Sequence, residues 1–371
     1  MNLKNNKPVP ATPRPVKPEL HKAPSDRRYY LLILVFSFIL YGNTINNRYS
    51  IDDFYVTGSN PLVQQGIKAI PAIFSSYYIS INAEEGGQHN FGYRPIAKTT
   101  FAIERQLFGE NPHISHFINI LLYALTGILL FRILRRLLKK HHLLLPLLTV
   151  MLFMVHPLHT EVVASLKNRE EILSFLGALL ALQFFLKFQD SGKKLNILWG
   201  SLAFGFGFLS KANIMTFLAV IPLVMYFFTD ITPKKNILLA AAMILMLAAA
   251  LLIPRLFLGT SSRPMQFIEN PLLFDVPFAE RIGTSMLSLL FYLKMLVFPH
   301  PLVYYYGFNM IPVTGLGNPL VWLSLVLHLA LLGYAVWKIR EKHLLSFAIL
   351  FYLINISLYS NLVAPLTGMV A

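Results

Sequence analysis

Residues 113–140 read HISHFINILLYALTGILLFRILRRLLKK. The apolar part, His113 to Leu134, is long enough to cross a bilayer, which takes about 20 residues. It closes on Arg132, Arg135, Arg136, Lys139 and Lys140, the kind of cationic stop that marks one side of a membrane. This is a membrane helix with a charged end, and the rest of the chain repeats the pattern.

Of 371 residues, 55% are hydrophobic and 13% charged, with a mean hydropathy of +0.56. A soluble domain carries about a quarter charged residues. Further apolar runs lie near Tyr29–Thr44, Leu143–Val155, Ile172–Phe188, Ile197–Leu209, Ile214–Phe228, Ile237–Ile253, Leu320–Val336 and Leu344–Leu358. The predicted fold is all-α, a polytopic integral membrane helical bundle of about nine spans. With no cysteine, neither a disulfide framework nor thiolate chemistry is possible.

The charges are sorted by side. Residues 1–28 form a basic tail rich in Pro and Ala, expected to be disordered and cytosolic. That tail and four short loops hold 20 of the 32 Lys and Arg against five acidic residues, whereas the opposite side is balanced. The asymmetry predicts a cytosolic N-terminus and a periplasmic or lumenal opposite face. It accounts for the net charge of +15 as a topogenic signal attracted to membrane lipids, so no nucleic-acid partner is implied. The predicted division is a seven-span module, 29–253, with a long outer loop, 45–112; a second outer loop, 254–318; and two further spans, 319–371. Residues 284–299 would break the alternation of sides if they crossed, so they are read as an interfacial helix.

Polar chemistry gathers on the balanced side. It comprises Asp52-Asp53, Tyr93-Arg94-Pro95, His156-Pro157-Leu158-His159-Thr160-Glu161, Asn168-Arg169-Glu170-Glu171, the corner Ser210-Lys211-Ala212-Asn213, and a tyrosine run, Tyr304-Tyr305-Tyr306. Ionisable groups near hydrocarbon depth are costly, so their concentration on one face points to a site. Each has a plainer alternative. Adjacent carboxylates are often solvated or cap a helix, but one of the two can take a proton from an acceptor hydroxyl while the other positions it. His156, His159 and Glu161 have spacing compatible with a divalent metal, or with a loop held by hydrogen bonds. Arg94, Arg169 and Lys211 are interfacial anchors or, together, a phosphate clamp. The tyrosine run reads as an interfacial aromatic belt.

In combination these motifs resemble the protein O-mannosyltransferase branch of the GT-C enzymes, above all the transmembrane members that carry tetratricopeptide repeats, and their bacterial relatives. Asn270-Pro271-Leu272 in the second loop adds to the likeness, which covers roughly residues 45 to 371. The repeats are absent, and the sequence stops at Gly368-Met369-Val370-Ala371 where relatives continue, so a C-terminally incomplete enzyme is expected. The resemblance implies a GT-C bundle that moves a hexose, mannose first, from a polyprenyl-phosphate sugar to a Ser or Thr hydroxyl of an exported protein. Asp52 would be the base and Asp53 its partner. Arg94, Lys211 and Arg169 would hold the donor phosphate, and Tyr93, His156, His159, Glu161 and Asn168 would support the pocket. The family implies no cofactor and no metal. The alternatives are a GT-C transferase with a lipid or glycan acceptor, and a transporter or flippase of lipid-linked substrates. Transporters place charges at mid-membrane, where the predicted spans here are nearly free of them.

Overall fold

A computed structural model describes residues 26–82, 88–258, 266–303, 306, 309–363 and 368. The tail up to residue 25, Arg263, Tyr304 and Tyr305, and most of the last eight residues lie outside the described set. Helix α1 (Arg27–Tyr41) runs on through a 3-10 turn (Gly42–Asn46) into the first loop. That loop holds three short helices, α2 (Asp53–Val56), α3 (Pro61–Gln64) and α4 (Ile70–Phe74). An antiparallel pair follows, β1 (Ile79–Asn82) and β2 (Gln88–Phe91), with Ile79 opposite Phe91. The remaining helices are α5 (Pro95–Phe108), α6 (Pro112–Leu137), α7 (Leu144–Val155), α8 (His159–Ala164), α9 (Arg169–Ser191), α10 (Leu195–Ser210), α11 (Phe217–Phe228), α12 (Pro233–Phe257), α13 (Phe278–Val297), α14 (Pro319–Trp337) and α15 (Leu344–Ser357).

Among the described residues, five helices are long and apolar enough to cross a membrane: Arg27–Asn46, α6, α9, α12 and α14. Four shorter apolar helices, α7, α10, Ala212–Phe228 and α15, occupy the other expected span positions. A helix the length of α7 rises about 18 Å, less than the roughly 30 Å of bilayer hydrocarbon. Outward-facing leucines such as Leu245 and Leu256, both more than 70% exposed, suit contact with lipid.

Helix α9 is the axis. Leu176, Leu179, Leu182, Phe185 and Leu186 are buried along it in the largest apolar cluster, with Phe204, Ile221 and Met243 from α10, α11 and α12. Its crossing with α10 has no room for side chains: a Cβ on Gly177 would sit 2.6 Å from the Gly207 Cα. Small residues permit this approach where lipid gives helices no hydrophobic reason to associate.

The bundle has two chemically different ends. At the basic end, Arg135 pairs with Asp26, Arg136 reaches Asp190 at 2.7 Å, and Lys342 donates to the Thr229 carbonyl at 3.3 Å. The other, here the site end, carries the first loop and the start of α9. The first loop is more ordered than its polarity suggests. Pro95 opens α5 at a position where a missing N–H is harmless. Ala97, Phe101 and Ala102 then form a buried stripe at helical spacing.

Helix α13 contains residues 284–297, and three of its contacts join it to the site end. The Met286 carbonyl accepts from Ser324 at 2.6 Å, Tyr292 packs near Tyr359, and the Leu296 carbonyl lies 3.2 Å from His156. These partners belong to the start of α14, the chain just after α15 and the turn after α7. Asn270 ties the same loop down, capping the Leu272 N–H at 3.0 Å and donating to Asn361 at 3.1 Å.

Candidate active site at the N-terminus of helix α9

The two aspartates occupy different surroundings. Asp53 is buried and fully engaged: it accepts from the Ser50 N–H at 3.1 Å and the Lys167 N–H at 2.9 Å, with the Ser50 and Ser165 hydroxyls at 3.5 and 3.4 Å. It joins the first loop to the strand of chain leading into α9. The Asp52 side chain is 41% exposed, and its ion-pair partner among the described residues is the Lys167 ammonium at 3.7 Å. Just before them Ile51 has a φ of 44°, a left-handed conformation that is a genuine outlier for a β-branched residue. Such strain persists only where its surroundings enforce it, here the four-donor anchorage of Asp53.

Glu170 and Glu171 sit in the first turn of α9, where unsatisfied N–H groups favour negative charge. Glu170 is completely buried and takes both Arg94 and Lys211, the latter at 3.3 Å. Lys211 also pairs with Glu171, whose second oxygen accepts from Asn213 at 3.4 Å. Local structure explains the convergence. Gly92, at φ +61°, turns the chain after β2, and Pro95 holds Arg94 out of the helical region at the cap of α5. Lys211 is the extended residue that ends α10, and Ser174 on α9 donates to its carbonyl at 3.1 Å. The glycine crossing thus delivers Lys211 to the first turn of α9. Tyr78 completes the link: its hydroxyl donates to the Lys167 carbonyl at 3.0 Å, and the Arg94 guanidinium lies 5.1 Å from its ring centre.

Arg169 is placed differently from the phosphate ligand expected of it. It is wholly buried, and its partners lie on α5 and α6, whereas Arg94 and Lys211 bind Glu170. Its Nε donates to Asn119 at 2.6 Å, and its terminal nitrogens bind both Glu104 oxygens, Thr100 at 3.2 Å and the Ser115 carbonyl at 3.0 Å. The Phe101 ring lies 4.1 Å beneath it. All five N–H donors are spent, so Arg169 fixes α5 and α6 against the start of α9.

Tyr93 donates to the Phe74 carbonyl at 2.7 Å, and burial pushes its hydroxyl up to about 12. Glu161 accepts from Asn168 at 3.2 Å, bracing the turn before α9. His159 packs on Phe153 and meets the Tyr123 hydroxyl at 3.0 Å; burial pulls its imidazole down to about 4, so it stays neutral. His156 contacts α13 instead, and among the described residues no group of three potential ligands is assembled for a metal.

Lys167 and Tyr78 belong to the cluster but were not singled out from the sequence, and Glu170 and Glu171, quoted there, were given no role. Acidic residues opening a helix look like ordinary caps. The available signal was charge balance: Arg94 and Lys211 at one buried end require counter-ions nearby.

Residues 95–254 match the family model described as dolichyl-phosphate-mannose-protein mannosyltransferase. This stretch, which lies within the helical bundle, is similar to protein O-mannosyltransferases. It is similar to protein O-mannosyl-transferase TMTC1 of Homo sapiens, 31% identical over 156 residues, which are 42% of this chain and 18% of that protein. The Mus musculus TMTC1 is 32% identical over 155 residues, 42% of this chain and 16% of that one. The Drosophila melanogaster Tmtc1 is 30% identical over 166 residues, 45% and 18%. The matched segment is thus less than a fifth of each relative's length. No solved structure matches the chain. The family match contains Glu170, Glu171 and Lys211; Asp52, Asp53 and Arg94 precede it.

Proposed function

We propose that the chain is a membrane glycosyltransferase that moves a hexose, mannose by likeness to its relatives, from a polyprenyl-phosphate donor to a Ser or Thr hydroxyl of an exported protein. The observation that carries this reading is the segment Ser165–Glu171. One flank of it contacts Asp52 and Asp53, and the other contacts Arg94 and Lys211. A displacement at an anomeric carbon needs a base on the acceptor side and positive charge where the leaving phosphate develops. The bond from the acceptor oxygen to the anomeric carbon forms as the bond from that carbon to the phosphate oxygen breaks. The acceptor proton passes to Asp52, and the lipid phosphate leaves as a monoester with one more negative charge.

The two aspartates divide the labour. Asp52 has an oxygen open to an incoming hydroxyl, while Asp53 is saturated with donors and holds its neighbour in place. Arg94 and Lys211, held by Glu170 and Glu171, are oriented before substrate arrives and need little rearrangement to meet the growing charge. The excess of Lys and Arg at the other end of the bundle supports placing the site on the non-cytosolic face. The test is transfer of labelled mannose from polyprenyl-phosphate mannose to a Ser/Thr-rich peptide, in membranes containing the wild-type chain or Asp52→Asn. Loss of general-base catalysis should lower the rate by about 10²–10⁴-fold. An Asp52→Asn chain as active as wild type would remove the proposed base.

A further inference from the structure

Beside Lys211, between the first turns of α9, the 3-10 turn Ala212–Thr216 and the end of α15, lies a cavity of about 160 Å³. Phe175 and Phe217 form one wall, their ring centres 6.1 Å apart at 63°. Glu171, Asn213, Asn355 and Tyr359 supply polar groups around it. Several of those groups have capacity left. Asn355 accepts from Thr216 at 2.9 Å and spends one amide hydrogen on the Phe351 carbonyl at 2.7 Å, which leaves the other hydrogen free. Asn213 donates to Glu171, which leaves its amide oxygen free. Among the described residues the Tyr359 hydroxyl has no hydrogen-bond partner.

Resting on the function proposed above, we propose that this cavity is the sugar subsite, taking the hexose ring of the donor while Lys211 at its edge meets the phosphate. A hexose has apolar C–H faces and a rim of hydroxyls, each both donor and acceptor. Aromatic rings suit the faces, and a carboxylate, two amides and a phenol suit the rim. A prenyl chain would desolvate those four polar groups and leave their remaining hydrogen-bonding capacity unmet, an expensive arrangement. The lipid tail therefore lies elsewhere. Asn355 and Tyr359 come from the last described helix and the residues just after it, well beyond the segment matched by the family model.

The experiment measures binding of polyprenyl-phosphate mannose and of polyprenyl phosphate without sugar to the purified full chain, for wild type, Asn355→Leu, Tyr359→Phe and Lys211→Ala. Tyr359→Phe keeps the ring and removes only the hydroxyl, so it tests the subsite even if Asn355→Leu folds poorly. Wild type should prefer the sugar-bearing lipid. Each subsite variant should lower affinity for that lipid by about tenfold, the scale of one or two hydrogen bonds, and leave the sugar-free lipid unaffected. Lys211→Ala should weaken both lipids. Wild-type binding with an unchanged preference in Tyr359→Phe, or equal weakening of both lipids by it, overturns the subsite alone. A wild-type chain that binds neither lipid overturns the subsite and the proposed function together.

Discussion

At the basic end of the bundle Arg136 meets Asp190 with 30% and 62% of their side chains exposed. At the site end Arg169 meets Glu104 with none of the arginine exposed. Both are Arg–carboxylate pairs, yet they are opposite kinds of interaction. The first is screened by water and salt and contributes about 0–1 kcal/mol. The second joins residues 65 apart in sequence and removes both charges from solvent, so neither partner can be lost without stranding the other. Positive charge at one end lies exposed at the surface; at the other it organises the interior.

The sharpest way to break this contrast is Arg169→Leu. Stranding Glu104 should cost about 3–5 kcal/mol, seen as a collapse of folded yield in detergent. A variant that folds normally would mean that α5 and α9 are not held through this guanidinium. Next comes Lys211→Ala, which should keep the fold and lower transfer by about 10²–10³-fold, the usual size of removing one charge-stabilising donor. If activity instead falls only in proportion to lost protein, Lys211 is merely another counter-ion.

A smaller, pH-dependent difference is expected from His159. Its folded pKa of about 4 lies below the ordinary 6.5, so the unfolded chain binds the proton more readily. The stability this group contributes is complete above about 6.5 and is lost as pH falls from there towards about 4. Thermal denaturation across that window should be less pH-dependent in His159→Gln than in wild type; identical slopes would assign the pH effect elsewhere. Least of all, Lys338→Ala breaks an exposed pair with Glu341 at 2.8 Å and should shift stability by no more than about 1 kcal/mol. A larger shift would show that the basic end is also structural.

The spans were legible because an apolar run of membrane length is too long for most soluble cores and too greasy for water. The interfacial reading of residues 284–299 rests on counting sides; the contacts of Met286, Tyr292 and Leu296 show which neighbours α13 meets. Helix α5 was not legible: a 14-residue helix carrying Lys98 and Glu104 on its buried side reads as a polar loop until their partners are known. The fate of Arg169 was hidden for the same reason. Arg94, Arg169 and Lys211 look interchangeable in one dimension, and only the positions of Glu104, Asn119 and Glu170 decide which cation is spent internally and which two face one another. Arg94 and Lys211 meet on Glu170, a carboxylate to which the sequence reading gave no role.

The burial of Arg169 bears on how the protein is made. Its guanidinium draws acceptors from α5, which precedes it by more than sixty residues, and from α6, which is a membrane span. While α9 is being inserted, that cation has water or lipid headgroups as its only satisfactory company until the earlier segments are in place. The start of α9 can therefore settle only once α5 and α6 lie beside it. The arginine thus ties assembly together: without α5 in place, the start of the helix that carries Glu170 and Glu171 is not seated.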